Sequence, residues 1–138
     1  MNTAPQTWVI DTNVLVSAVL TPGGTCDRII RASIDGRIRL AWNAPMLAEY
    51  RAVLLRPKFG LSSSTVAALL ATFGPVDQVP LRRAPALPDP DDEVFLAAAL
   101  TTADKMLVTG NRAHFPAATC RPVRVLSPSE AVQKLEQP

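Results

Sequence analysis

The 138-residue sequence predicts an α/β fold with a largely parallel central sheet, and three observations carry that expectation. Short β-rich runs alternate with longer segments of helical periodicity from one end to the other. The breaks between them fall on Gly, Pro, Asp, Asn or Ser, residues that cap or stop elements. No repeat or low-complexity tract interrupts the alternation. Residues 1–138 therefore read as a single domain, large enough to bury a core by itself.

The first strand is "TWVI", ending at Asp11, and "VLVSAVL" behind it fits either a helix or a buried strand. Thr25 is expected to cap a helix through "CDRIIRASI", which Asp35-Gly36 ends before the strand "IRLAW". After Asn43, with Pro45 near the first turn, "MLAEYRAVLLR" has apolar residues at 46, 47, 50, 53 and 54, the spacing of one helical face. Glu49 lies on the shoulder of that face, and Pro57 ends the helix. "SSSTVAALLATF" starts another helix behind a serine cap. "VDQVPL" is a weak edge-strand candidate, because Pro80 cannot donate to a ladder.

The Pro-rich "RRAPALPDPDD" reads as a loop leading to the helix of "EVFLAAAL". Asp89 can cap that helix with Pro90 as its first residue, and Asp92 can reach back as in a capping box. Then follow the strand "KMLVT", the loop "GNRAHFPAATC", the strand "VRVL" and a last helix opened by the capping box "SPSE".

Composition removes several function classes. With 48% hydrophobic and 19% charged residues the chain reads as globular and soluble. No apolar run approaches the ~20 residues of a membrane span, and "MNTAPQTW" lacks the regions of a signal peptide, so no membrane association and a cytoplasmic location are expected. Cys26 and Cys120 show no zinc or disulfide spacing. The single His114 cannot build a histidine cluster, and no G-x-S-x-G elbow accompanies it.

A net charge of +2 is too mild to announce a nucleic-acid binder, although eleven of the fourteen basic residues are Arg, the better fork for phosphate. Arg28, Arg31, Arg37 and Arg39 bunch in one segment, and Arg51, Arg56 and Lys58 in another. Solvated helix faces are the plainer explanation of each.

Parallel α/β sheets bind ligands beyond the carboxyl ends of their strands. Two strands here end alike, one in Asp11-Thr12-Asn13 and one in Thr109-Gly110-Asn111, so these residues share an edge. Helix starts such as "DPDD" lie at that same edge. Asp11 stands between the apolar "WVI" and "VLV", where an unpaired carboxylate is costly. Capping the next helix explains Asp11 in part, and a solvated helix acid is the ordinary reading of Glu49. One topology, however, brings Asp11, Glu49 and Asp92 together. Crowded carboxylates repel unless a cation lies among them, and hard oxygen donors suit Mg²⁺ or Mn²⁺. Hydrolysis of a nucleic-acid backbone is the natural chemistry of such a site.

These residues resemble the PIN-domain nucleases, and among them the toxin components of toxin–antitoxin systems related to VapC. The segments "VIDTNVLVSA", "APMLAEYRAVLLRPKF", "LPDPDDEVFLAAAL" and "ADKMLVTGNRAHFP" fall in the family's order. The resemblance implies a three-layer α/β/α sandwich and a metal-dependent endoribonuclease that leaves a 5′-phosphate and a 3′-hydroxyl. It also implies an RNA substrate, a small antitoxin protein as partner and a homodimer. Carried over by position, the catalytic and metal-binding acids are Asp11, Glu49 and Asp92, with Asp91 as a neighbour. The family's fourth acid falls on Asn111, whose amide oxygen can ligate but brings no charge. Asn13 and Thr109 are the residues that would orient the acids.

Two other classes compete. An Asp-based phosphatase would favour D-x-D after the first strand, and here the third position is Asn13. A PIN-fold RNA- or protein-binding module with weak catalysis finds its one support in Asn111. The apolar run Val14–Leu20 either packs in the core or covers a dimer face or an antitoxin segment.

Overall fold

Four parallel strands form the sheet of the computed structural model, which describes residues 4–137. They are β1 Gln6–Ile10, β2 Ile38–Leu40, β3 Met106–Val108 and β4 Arg124–Leu126, in the order β2-β1-β3-β4. Trp8 lies opposite Leu40, Ile10 opposite Val108, and Leu107 opposite Val125. Val9, Ile10, Leu107 and Val108 are wholly buried, as central parallel strands must be when both faces are covered.

Seven helices flank the sheet among the described residues: α1 Thr12–Leu20, α2 Thr25–Ile34, α3 Ala44–Leu54, α4 Ser63–Leu70, α5 Glu93–Thr101, α6 Ala117–Cys120 and α7 Pro128–Glu136. Together with the sheet they make the expected α/β/α architecture. The most buried helix, α5, packs on β1 and β3 and keeps Phe95 through Ala99 out of water, which accounts for its almost unbroken apolar sequence. α1 packs against α2 and α3, and α2 packs against α7. No helix of the described residues is long and apolar enough to cross a membrane.

Strand order fixes where a ligand can enter. From β1 the chain passes to β2 on one side, and the later strands β3 and β4 lie on the other. The reversal puts a switch point between β1 and β3, and crevices open there beyond the strand ends. Asp11 and Thr109 follow those two strands directly.

Local chemistry adjusts several sequence expectations. "VLVSAVL" is helical, with Asp11 as N-cap, its side chain accepting from Thr12 N–H. Val14, Leu15 and Ala18 enter the core and Leu20 is half exposed, so core packing accounts for most of that run. The cap of α2 is Gly24; Thr25 is already helical and makes no cap bond. The edge strand expected at "VDQVPL" is a 3₁₀ turn over Pro75–Asp77 followed by a single bridge from Trp42 to Gln78. Pro75 just before the segment and Pro80 within it leave too few donors for a ladder. The loop "GNRAHFPAATC" contains a 3₁₀ turn over Arg112–His114 and then α6. Asp89 caps a 3₁₀ turn over Pro90–Asp92, ahead of α5. Asp92 makes no reach-back bond. The expected serine cap, Ser62, and the Ser127–Glu130 capping box are present, and Asn43 caps α3 by accepting from Met46 N–H.

Candidate active site

Four polar bonds, two buried and two partly buried, surround the switch point. Thr109 Oγ1 donates to Asp11 Oδ2 at 2.8 Å and accepts from Asn111 N–H at 3.0 Å. Tyr50 OH, wholly buried, donates to the Ile10 carbonyl at 2.6 Å and pins α3 beneath the end of β1. Asn43 Nδ2 donates to the Val94 carbonyl at 3.0 Å and so ties the start of α3 to the start of α5. Together they hold β1, β3, α3 and α5 in register around one spot. The side chains of Asp11, Glu49 and Asp92 meet there as a consequence.

The result is a cleft of about 260 Å³ lined by Asp11, Thr12, Asn13, Glu49, Val53, Arg56, Asp89, Asp91, Asp92 and His114. Asp11 is buried and accepts from Thr12 N–H at 2.8 Å with its other oxygen. Glu49 is half-buried and accepts from the Thr12 hydroxyl. Asp92 is buried, and among the described residues its Oδ2 has no hydrogen-bond partner. His114 Nδ1 approaches that oxygen to 3.1 Å without hydrogen-bonding geometry. An orphaned carboxylate oxygen in a polar cleft is expensive to keep unless a positive charge meets it.

The electrostatics agree with the geometry. Burial raises the Asp92 carboxyl to about 6, and the charges of Asp11, Asp89 and Glu49 add to that rise while His114 opposes it. Burial also raises Asp11, against the bonds from Thr109 and Thr12. Glu49 is raised by burial first, with the charges of Asp11, Asp91 and Asp89 adding to the effect. Acids that push one another's proton affinity upward are short of positive charge.

Of the residues marked by the sequence, Asp11, Asn13, Glu49, Asp91 and Asp92 line the cleft, and Thr109 lies beneath it as the donor to Asp11. Asn111 joins through its backbone N–H, and its side chain is not part of the lining. The loop after β3 presents His114 there instead. His114 and Arg56 are cleft residues that the sequence did not single out for this place. Arg56 had a signal, since Glu49, Val53 and Arg56 fall at i, i+4 and i+7 on one helical face.

The sequence profile described as PIN domain matches residues 7–113, about three quarters of the chain. The chain belongs to the PIN-domain family. PIN domains are generally metal-dependent nucleases, so this chain carries the fold and acid-lined cleft of a hydrolase. No curated protein matches the chain.

The donor set of this PIN domain fits a hard divalent cation: all-oxygen acids, excess negative charge and one unpartnered oxygen. Among the described residues no three His, Cys, Asp or Glu groups stand in a finished ligand cage. The hydrogen bonds explain that openness. Glu49 is engaged by Thr12 and Asp11 by Thr12 and Thr109, so coordination by Glu49 competes with its bond from Thr12.

Proposed function

We propose that the chain is a Mg²⁺- or Mn²⁺-dependent endoribonuclease, the toxin of a toxin–antitoxin pair. The observation that carries the nuclease chemistry is the convergence of Asp11, Glu49 and Asp92 on one cleft, with Asp92 Oδ2 left without a partner. When bound, the metal supplies charge neutralisation and an acidified water for phosphodiester hydrolysis. Asp11, Glu49 and Asp92 would hold it.

The remaining residues orient and shield. Thr109 fixes the rotamer of Asp11, and Thr12 holds Glu49 on the cleft side of α3. Asn13 and Asp91 are exposed at the rim, where they can bond water or substrate. Tyr50, at the base, keeps α3 and its one acid, Glu49, against the strand end. RNA as substrate, a small antitoxin as partner and a homodimer in solution are supported by the likeness of the four sequence segments to the toxin branch of the family.

Incubation with mixed RNAs, with and without Mn²⁺ or Mg²⁺, followed by sequencing of the cut ends, tests this function. Metal-dependent cleavage leaving 5′-phosphates is the expected result. Undiminished cleavage in excess chelator would overturn the metal-dependent mechanism. Full metal binding without cleavage would favour a binding module.

A further inference from the structure

We infer, on the strength of the ribonuclease reading, that Arg56 is the residue that grips the RNA backbone at the cleft, as a phosphate fork opposite the acids. Arg56 is the one Lys or Arg lining a cleft otherwise rich in carboxylates. Among the described residues it forms no ion pair, whereas Arg28, Arg31, Arg39 and Arg112 are paired with Glu136, Asp27, Asp77 and Glu130. A guanidinium that pairs with none of the five acids of its own cleft is available to another anion.

Its backbone explains why it faces the cleft. Arg56 lies just beyond the end of α3, with φ −58° and ψ 133°, the extended conformation imposed by the following Pro57. Val53 and Glu49, one and two turns earlier on the same face, line the cleft with it. Pro57 and the 3₁₀ turn over Pro57–Phe59, closed by Gly60 at φ 64°, hold this departure from the helix axis. Lys58 is drawn back over the Phe59 ring at 5.1 Å, which leaves Arg56 as the base committed to the cleft.

The chemistry requires such a group. A polyanion entering a cleft of five carboxylates is repelled unless cations meet it, and a metal neutralises only the reacting phosphate. A planar guanidinium presents two parallel N–H donors to phosphate oxygens and is more weakly hydrated than an ammonium. Its contact reads no base, so it positions the strand without specifying sequence.

The test compares Arg56→Gln, Arg56→Lys and Arg124→Gln with the parent chain. Arg124 is exposed at the start of β4, the sheet end opposite the cleft, and controls for the lost charge. Anisotropy of an unstructured fluorescent ribo-oligonucleotide is followed across a salt series in excess chelator, and kcat and KM for cleavage are measured with Mn²⁺. Arg56→Gln should weaken binding about tenfold and flatten the slope of log K against log salt by about 0.7, the loss of one single-strand phosphate contact. Arg56→Lys should keep the slope and bind more weakly than the parent. KM should rise more than kcat falls. Equal binding and slope in Arg56→Gln and Arg124→Gln would overturn the assignment, as would absence of RNA binding by the parent chain. Loss of binding in Arg56→Gln, with no cleavage by any variant, would keep Arg56 and sink the ribonuclease.

Discussion

Thr109 Oγ1 donates to Asp11 Oδ2 at 2.8 Å, joining residues 98 positions apart at the ends of two adjacent parallel strands. The same oxygen accepts from Asn111 N–H, so one hydroxyl serves both the acid and the loop that follows. Asp11 is buried, which raises its carboxyl, and the bonds from Thr109 and Thr12 oppose that rise.

Thr109→Val keeps the shape and removes that donor. The orphaned carboxylate oxygen and N–H should cost about 1–3 kcal/mol in urea unfolding. Mn²⁺ affinity should also fall, because the Asp11 carboxyl then holds its proton more tightly. Thr109→Ser should restore both. Unchanged stability in Thr109→Val would remove the hydroxyl from this role.

The raised Asp92 carboxyl gives the metal-free protein a definite pH dependence. Its proton is held with a pKa of about 6 in the folded state against an ordinary value of 3.8. Between those values the folded state binds more protons than the unfolded chain, so stability falls as pH rises through the window. The cost is fully present above pH 6. In excess chelator the melting temperature should therefore rise as pH is lowered from 7 toward 5, and saturating Mn²⁺ should flatten the profile. A chelated protein that melts lower at pH 5 than at pH 7 would contradict the crowded-acid account.

Much of this architecture was legible in the sequence because it rests on local chemistry. Ser62 and the Ser127–Glu130 box are caps that act within three residues, and both formed where the sequence placed them. The parallel sheet followed from the alternation of strand and helix. Asp11, Glu49 and Asp92 were marked by their misfit with apolar neighbours, and they line one cleft. What stayed hidden depends on partners distant in sequence. Tyr50 reads as one more apolar stripe residue until its hydroxyl meets the Ile10 carbonyl. Nothing local to His114 reveals that a 3₁₀ turn brings it to Asp92. "VDQVPL" misled for the opposite reason, since its β-like residues never find a ladder partner beyond Trp42.

Asn111→Asp measures how far charge alone can act on the site. Its side chain lies outside the cleft lining while its backbone is bonded to Thr109, so an added carboxylate works on the metal mainly through the field. Mn²⁺ affinity by calorimetry should rise by less than about tenfold. A gain of a hundredfold would mean that position 111 is a direct ligand. A loss of affinity would mean that the added acid disturbs the Asp11–Thr109 bond.

Asp89 and Asp92 stand three residues apart, and substitution by Asn separates capping from chemistry. Asp89 Oδ1 accepts from Asp91 N–H at 3.0 Å, the bond of a cap, whereas Asp92 Oδ2 accepts from nothing. Asp89→Asn retains an oxygen acceptor and loses only a charge at the turn's start, so stability should fall by about 0.3–1 kcal/mol with cleavage preserved. Asp92→Asn removes a buried negative charge from beside Asp11 and Glu49. The metal-free variant should then melt at an equal or higher temperature, by up to about 2 kcal/mol after allowance for solvent screening. It should also lose the stabilisation that Mn²⁺ gives the parent chain, because an ion that binds only the folded state raises stability in proportion to its occupancy. Nearly all cleavage should disappear with it. Thermal unfolding with and without Mn²⁺, beside a cleavage assay, reads all of these at once. An Asp92→Asn protein that melts lower without metal and still cuts RNA at the parent rate would return Asp92 to the role of a helix-start acid.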